Sequence, residues 1–417
     1  MTKVVHIQYS VDSAGRAALK LQKAFSAVNV ESGIVSLQYS TLSNSNIKFL
    51  GPIARLISKI DNRIQAYLTR KSLKQMGSFS YPVLGTNVAR LAEVKNADII
   101  YIHWALNGLL NLRNIKQIAN LNKPVIIFLH DMWSITGGCH HSFTCEKYKT
   151  EGCNNCPMFP AVKKNDLSAK EFKRKLKLYN RYNNLYFISP SKWLYDCTKQ
   201  SLLTKNKPVF HIPNILDVTI FKPVDKIIAR QFLNIETHET VITFGAVTVN
   251  SPYKGWVYLQ KALELLKEDD TLKNVSVLIF GSAYNKEIAD ALPFKTRFMG
   301  FLSDEYSISL LYNASDVFIV PSVADNLPTT VLESLSCGTP VVGFNVGGIP
   351  DMISHKKNGY LAKYKDAADI TNGIKYCITN KIKGEILPDF QPELIVKKHL
   401  QLFEKIKMGQ LDKPVSS

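Results

Sequence analysis

Asp316-Val317-Phe318-Ile319-Val320-Pro321-Ser322, followed by Asp325-Asn326-Leu327-Pro328 and the run Thr329 to Ser336, is the stretch that decides the fold. Four consecutive apolar residues closed by a turn signal read as a strand buried on both faces. The run after Pro328 reads as a helix, with proline where a first turn tolerates it. A helix that starts just past a strand end presents unpaired backbone N–H groups and a positive dipole end, which suits a diphosphate. Glu333, one turn in, is placed to reach ribose hydroxyls. Asp325 and Glu333 are eight residues apart, roughly 12 Å along a helix. That is too far for the paired carboxylates of a glycosidase, which sit about 5 to 9.5 Å apart.

The same strand-and-helix alternation extends in both directions. Val4 to Tyr9, Gly33 to Leu37, Ile99 to His103, Val125 to Leu129, Leu185 to Ser189 and Val209 to Ile212 read as buried strands of a front half. After Pro213-Asn214 the pattern restarts with Val241 to Phe244, Val275 to Phe280, Arg297 to Met299, Val317 to Val320 and Pro340 to Phe344. Helices such as Gly255 to Lys267 separate them, so right-handed β-α-β units build two parallel sheets. The expected class is α/β, with two tandem Rossmann-like domains facing across a cleft. The expected boundaries are 1–212, 213–390, and a C-terminal helix and tail at 391–417.

Charge divides the chain at the same place. Residues up to 217 carry 30 Lys plus Arg against 12 Asp plus Glu, and the remainder 22 against 22, so the excess of +18 lies in front. The front half is therefore expected to meet something anionic: nucleic acid, an acidic membrane surface or a phosphorylated acceptor. Ile53, Leu56, Ile57, Ile60, Ile64, Tyr67 and Leu68 recur at helical spacing, with Arg55, Lys59, Arg63, Arg70, Lys71 and Lys74 around them. Such a helix either lies in an anionic membrane interface or packs on the sheet with a solvated basic face. Lys170, Lys173, Arg174 and Lys175 read as a second basic helix on the same positive face.

The start of the chain has no apolar stretch of secretory length, and no run approaches a membrane span. A soluble cytoplasmic protein is expected. Cys139, Cys145, Cys153 and Cys156 form a C-x5-C-x7-C-x2-C series in the loop 137–157. One pair has the spacing of a zinc half-site and the other is irregular, so structural zinc, free thiols and disulfides all stay open.

Pro321-Ser322 through Asp325-x7-Glu333 to Ser336-Cys337-Gly338-Thr339-Pro340 resembles the signature of family 4 glycosyltransferases of GT-B fold, like those of colanic acid and exopolysaccharide biosynthesis. Matching pieces are Pro213-Asn214-Ile215 with Asp217, Lys254-Gly255, Gly347-Gly348-Ile349-Pro350-Asp351 and Asn358-Gly359-Tyr360-Leu361. In front, Asp12-Ser13-Ala14-Gly15 resembles the glycine-bearing turn after the first strand, and His130-Asp131-Met132-Trp133 the family's histidine segment.

The resemblance implies a cytoplasmic retaining hexosyltransferase, peripheral on the inner face of a membrane. Its donor would be a nucleotide diphosphate sugar and its acceptor a lipid-linked saccharide in surface-polysaccharide assembly. No cofactor is implied for catalysis and no nucleic acid as partner. Lys254 would neutralise the donor diphosphate. Asp325, Asn326, Leu327, Thr329 and Gly15 would hold sugar and phosphate, Glu333 the ribose, and His130 would sit beside the transferred sugar. Two departures stand out: Asp325 where Glu is usual, and Ala246-Val247 where an Arg often follows Phe244-Gly245, leaving Arg16 or Arg297 as substitutes. The rival readings are a nucleotide-sugar epimerase or phosphorylase of the same architecture, and a zinc-containing nucleic-acid-binding protein.

Overall fold

The computed structural model describes residues 1–12, 16–40, 46–73, 77–160, 164–245, 253–269, 271–302 and 304–410. It divides into two compact units, residues 1–215 with 393–417, and residues 216–392. Gly15, Lys74, Ala246 and Val247 lie outside the described residues.

The first unit is built on strands β1 (Lys3–Gln8), β2 (Glu31–Ser36), β3 (Ile47–Phe49), β4 (Ile99–Ile102), β5 (Val125–Phe128), β6 (Leu185–Ser189) and β7 (Val209–His211). They form one parallel sheet in the order β3-β2-β1-β4-β5-β6-β7. Strands this apolar on both faces need cover on both sides. Val5, Ile7, Ile100, Ile102 and Ile127 pack into one core. Val4, Tyr101, Ile126 and Phe128, with their side chains on the opposite face, pack with Phe25. The Pro392–Lys407 helix adds Ile395, Val396, Leu402 and Phe403 to that second core, which is why the chain end belongs to this unit.

The second unit carries β8 (Thr240–Gly245), β9 (Val275–Phe280), β10 (Lys295–Gly300), β11 (Val317–Val320), β12 (Val341–Phe344) and β13 (Gly359–Ala362). This sheet is also parallel, in the order β10-β9-β8-β11-β12-β13. Leu278, Phe280, Phe318, Val320 and Val341 pack with Val331, Leu332 and Leu335 of the Thr329–Ser336 helix. The edge strands β3 and β13 were not expected from the sequence. Ile47-Lys48-Phe49 is too short to show a period, and Gly359-Tyr360-Leu361-Ala362 is poor in β-branched residues.

In each sheet the strand order reverses once, between β1 and β4 and between β8 and β11. Open parallel sheets bind ligands beyond the carboxyl ends of the strands that flank such a reversal.

Candidate functional site

The reversal in the second unit brings together residues far apart in sequence. Lys254 follows β8 and Asp325 follows β11, and Lys254 Nζ donates to Asp325 Oδ2 at 2.8 Å. Ser322 Oγ donates to the same oxygen at 3.4 Å. The two loops are also stitched through the backbone, Val323 N donating to Tyr253 O at 2.8 Å. Burial opposes the charge on Lys254, yet the neighbouring Asp325 holds its pKa above the usual lysine value. A fixed cation thus stands at the switch point.

Two glycines permit this close approach. Gly255 has φ +70°, and a Cβ there would lie 1.8 Å from Pro321 O. Gly347 has φ +60°, and a Cβ there would lie 1.9 Å from Asp325 O. Gly255→Ala is therefore expected to destabilise the second unit by at least about 1 kcal/mol and to displace Lys254. Thermal unfolding together with nucleotide titration checks this, and a variant unchanged in both would show that the loop adapts freely.

Asn326 and Leu327 are buried in the turn after Asp325, and Thr329 is half-buried at the helix start. Pro328 caps the Thr329–Ser336 helix without a side-chain hydrogen bond, so the cap residue's side chain leaves the first N–H groups of the helix to other partners. Glu333 is buried, with Tyr312 Oη donating to its carboxylate at 3.4 Å. Arg297 is not a substitute diphosphate cation. Its guanidinium binds Glu239 at 2.8 Å and Asn234 O at 2.6 Å, and Glu239 precedes β8, at the amino end of that strand.

In the first unit His130 lies just beyond β5, and it belongs to a chain that the sequence did not reveal. His6 Nε2 meets Ser32 Oγ at 3.1 Å, His6 Nδ1 meets His103 Nε2 at 3.0 Å, and His103 Nδ1 meets His130 Nε2 at 3.0 Å. The cause is strand geometry. Alternation puts Ser32, His6, His103 and His130 on one sheet face, and neighbouring strands about 4.8 Å apart match the span of one imidazole and its hydrogen bond. Successive ring centroids are 5.2 Å apart. A neutral imidazole donates from one nitrogen and accepts at the other, so the three rings must share one sense of donation. Burial drives His6 down to about 3 and His130 to about 4, with Asp131 opposing the shift at His130. His103 is also held well below its usual value, first by burial and then by its histidine neighbours. His130 is thus a neutral hydrogen-bonding group at pH 7.

His103, His130, Asp131, Trp104, Phe128 and Trp133 help line a cavity of about 30 Å³. Asp131 is tied to His140 Nδ1 at 2.6 Å and accepts from Trp104 Nε1 at 3.1 Å and Trp133 N at 2.8 Å. A buried histidine alternating with aromatic residues on adjacent strands was the available signal for this network.

Of the three states open for the cysteine loop, the structure shows free thiols. Cys139, Cys145, Cys153 and Cys156 are all free and half-buried, and all four help line one cavity of about 20 Å³. Among the described residues, however, no group of three or more His, Cys, Asp and Glu is placed to hold a metal ion. Burial pushes the Cys139 thiol up to about 12 and that of Cys156 to about 11, so both are protonated at neutral pH. Within the loop Lys147 Nζ donates to Asn154 O and Asn155 O, and Gly137 N to Cys153 Sγ at 3.2 Å. Lys175 is not part of a basic surface. It is fully buried, donates to Trp133 O at 2.5 Å and Thr136 O at 3.1 Å, and lies over the Trp133 ring. Arg174 pairs with Glu171 at 2.8 Å.

Residues 225–389 match the family described as Glycosyl transferases group 1. The chain is 28% identical over 146 residues to an uncharacterized glycosyltransferase of Haemophilus influenzae, spanning 34% of this chain and 40% of that one. It is 27% identical over 352 residues to the uncharacterized glycosyltransferase MJ1607 of Methanocaldococcus jannaschii, covering 78% of this chain and 86% of that protein. It is 24% identical over 309 residues to the putative colanic acid biosynthesis glycosyl transferase WcaC of Escherichia coli, covering 70% of each. Its fold is similar to that of Anabaena Alr3699/HepE, solved in complex with UDP-glucose, with a TM-score of 0.62 at 18% identity over 98% of this chain and 100% of that one.

Proposed function

We propose that this GT-B chain, whose residues 225–389 match the glycosyl transferases group 1, moves a hexose from a nucleotide diphosphate sugar to a lipid-linked saccharide in surface-polysaccharide assembly, with retention of anomeric configuration. The observation that carries the donor side is the Lys254–Asp325 pair at the β8/β11 reversal, beside a helix start with no side-chain cap. A departing diphosphate gains negative charge in the transition state, and a preset cation with helix N–H groups stabilises it where that charge develops. The UDP-glucose complex of a protein of the same fold supports this donor class, and the colanic acid relative supports the polysaccharide role.

In this reading the acceptor O–H attacks the anomeric carbon from the face that the diphosphate leaves. The carbon–oxygen bond to phosphate breaks and the hydroxyl proton passes to the departing phosphate oxygen. No protein nucleophile is needed. His130 of the first unit would offer a sugar hydroxyl a neutral hydrogen-bonding group.

Calorimetric titration with UDP, GDP and ADP tests the donor assignment. One nucleotide is expected to bind at micromolar concentration, and Glu333→Ala to weaken it about tenfold through loss of ribose hydrogen bonds to a carboxylate. A folded protein that binds none of the three would overturn the assignment.

A further inference from the structure

The Pro52–Thr69 helix is attached to its unit by its polar side and turns much of its apolar side to solvent. Its buried residues are Ala54, Ser58, Asp61 and Gln65. Ser58 Oγ donates to Asn107 O at 2.6 Å. The Asp61 carboxylate accepts from Val83 N at 2.9 Å, Leu84 N at 2.8 Å and Gln65 Nε2 at 2.7 Å, and Gln65 Oε1 accepts from Tyr81 N at 2.9 Å. The seat is close enough that a Cβ on Gly108 would lie 2.4 Å from Ser58 Cα.

By contrast Ile53 is 75% exposed, Leu56 57%, Ile60 42% and Tyr67 63%. With 3.6 residues per turn, these four and the half-buried Ile57, Ile64 and Leu68 occupy an arc about 120° wide. The buried arc is centred about 110° to one side of it, and Arg55, Lys59, Arg63 and Arg70 fall on the other side. The helix's one acidic residue, Asp61, is buried, so its outward surface is apolar and cationic.

A contiguous exposed apolar arc marks an interaction surface, and its composition selects the partner. Arg and Lys have aliphatic stems that run along an acyl boundary while their charges stay at headgroup level, and anionic headgroups complement them. Among the described residues no helix is long and apolar enough to cross a membrane, so the contact is made in the interface plane.

We propose that the Pro52–Thr69 helix docks the first unit on an anionic lipid surface, with Ile53, Leu56, Ile60 and Tyr67 entering the acyl boundary and Arg55, Lys59, Arg63 and Arg70 at the headgroups. This deepens the lipid-linked part of the proposed function, and it is measured without turnover, so the two fail separately.

The test is flotation of the full chain with phosphatidylcholine vesicles containing or lacking phosphatidylglycerol. The protein is expected to float only with the anionic vesicles, and less so as salt rises. Ile53→Gln with Ile60→Gln is expected to lower partitioning about 100-fold, about tenfold for each large apolar side chain. Arg55→Ser with Lys59→Ser and Arg63→Ser is expected to lower it by about fivefold per charge and to flatten the salt dependence. All five positions are exposed or outside the docking hydrogen bonds, and unchanged nucleotide affinity verifies folding. Equal binding to both vesicle types, binding to neither, or variants that float like the parent would overturn the proposal. So would a parent that sediments as an oligomer through this helix without floating, which would assign the surface to a second copy.

Discussion

Replacing Lys254 by Ala is expected to lower kcat/KM for sugar transfer by about 10²–10³-fold and to weaken nucleotide diphosphate binding. Lys254 is the cation that the fold delivers to the β8/β11 reversal, and its partner Asp325, half-buried 2.8 Å away, loses its counter-charge when the ammonium is removed. A carboxylate left without its counter-charge beside an incoming diphosphate would repel it, so the single variant suffers twice. Lys254→Ala combined with Asp325→Ala is accordingly expected to bind UDP more tightly than Lys254→Ala alone. Initial rates and calorimetry on the parent, both single variants and the double variant measure this. A Lys254→Ala protein that binds and turns over like the parent would remove the donor site from this place.

The first unit is expected to lose stability steeply on mild acidification, because three imidazoles of one sheet face and His399 of the Pro392–Lys407 helix packed on it are all buried. Burial lowers His6 and His399 to about 3 and His130 to about 4, and His103 lies well below the ordinary histidine value of 6.5. Between 6.5 and those folded-state values the unfolded chain holds protons that the folded chain refuses. Stability is therefore complete above pH 6.5 and falls as pH drops through this window, by about 1.4 kcal/mol per pH unit for each group. Asp131 acts in a lower window. Burial opposes its ionisation but His140 holds its pKa near 2, so its contribution is lost only as pH falls below about 3.8. Urea unfolding at pH 7, 6 and 5, followed by tryptophan fluorescence, gives the slope. His399→Gln should reduce it by about one proton. A stability that stays level from pH 7 to 5 would contradict the buried, neutral histidine chain.

The local elements around Lys254 and Asp325 were legible because they rest on local rules. A strand end, a proline-started helix and a lysine-glycine turn are each coded within a few residues, and Lys254 and Asp325 do meet. The histidine chain was not legible, because His6, His103 and His130 come from three strands whose adjacency is a property of sheet order. The Pro52–Thr69 helix was legible as a helix, but the choice between its two possible seatings was not. Its 3.6-residue period reports an apolar stripe, but the hydrogen bond that Ser58 donates to distant backbone and those that Asp61 and Gln65 accept from it decide which face is buried. Lys175 looked like surface charge because nothing near it in sequence announces the carbonyls of Trp133 and Thr136.

By itself the sequence determined the α/β class, the restart of the pattern after residue 212 and the concentration of positive charge in front. These follow from periodicity, turn chemistry and composition, which act over a few residues or over the whole chain at once. Tertiary structure alone decided the strand order that seats Lys254 against Asp325, the face on which three imidazoles link, and the burial that makes them neutral. It also decided the outward turn of an apolar helix, because burial and long-range hydrogen bonding depend on which segments become neighbours.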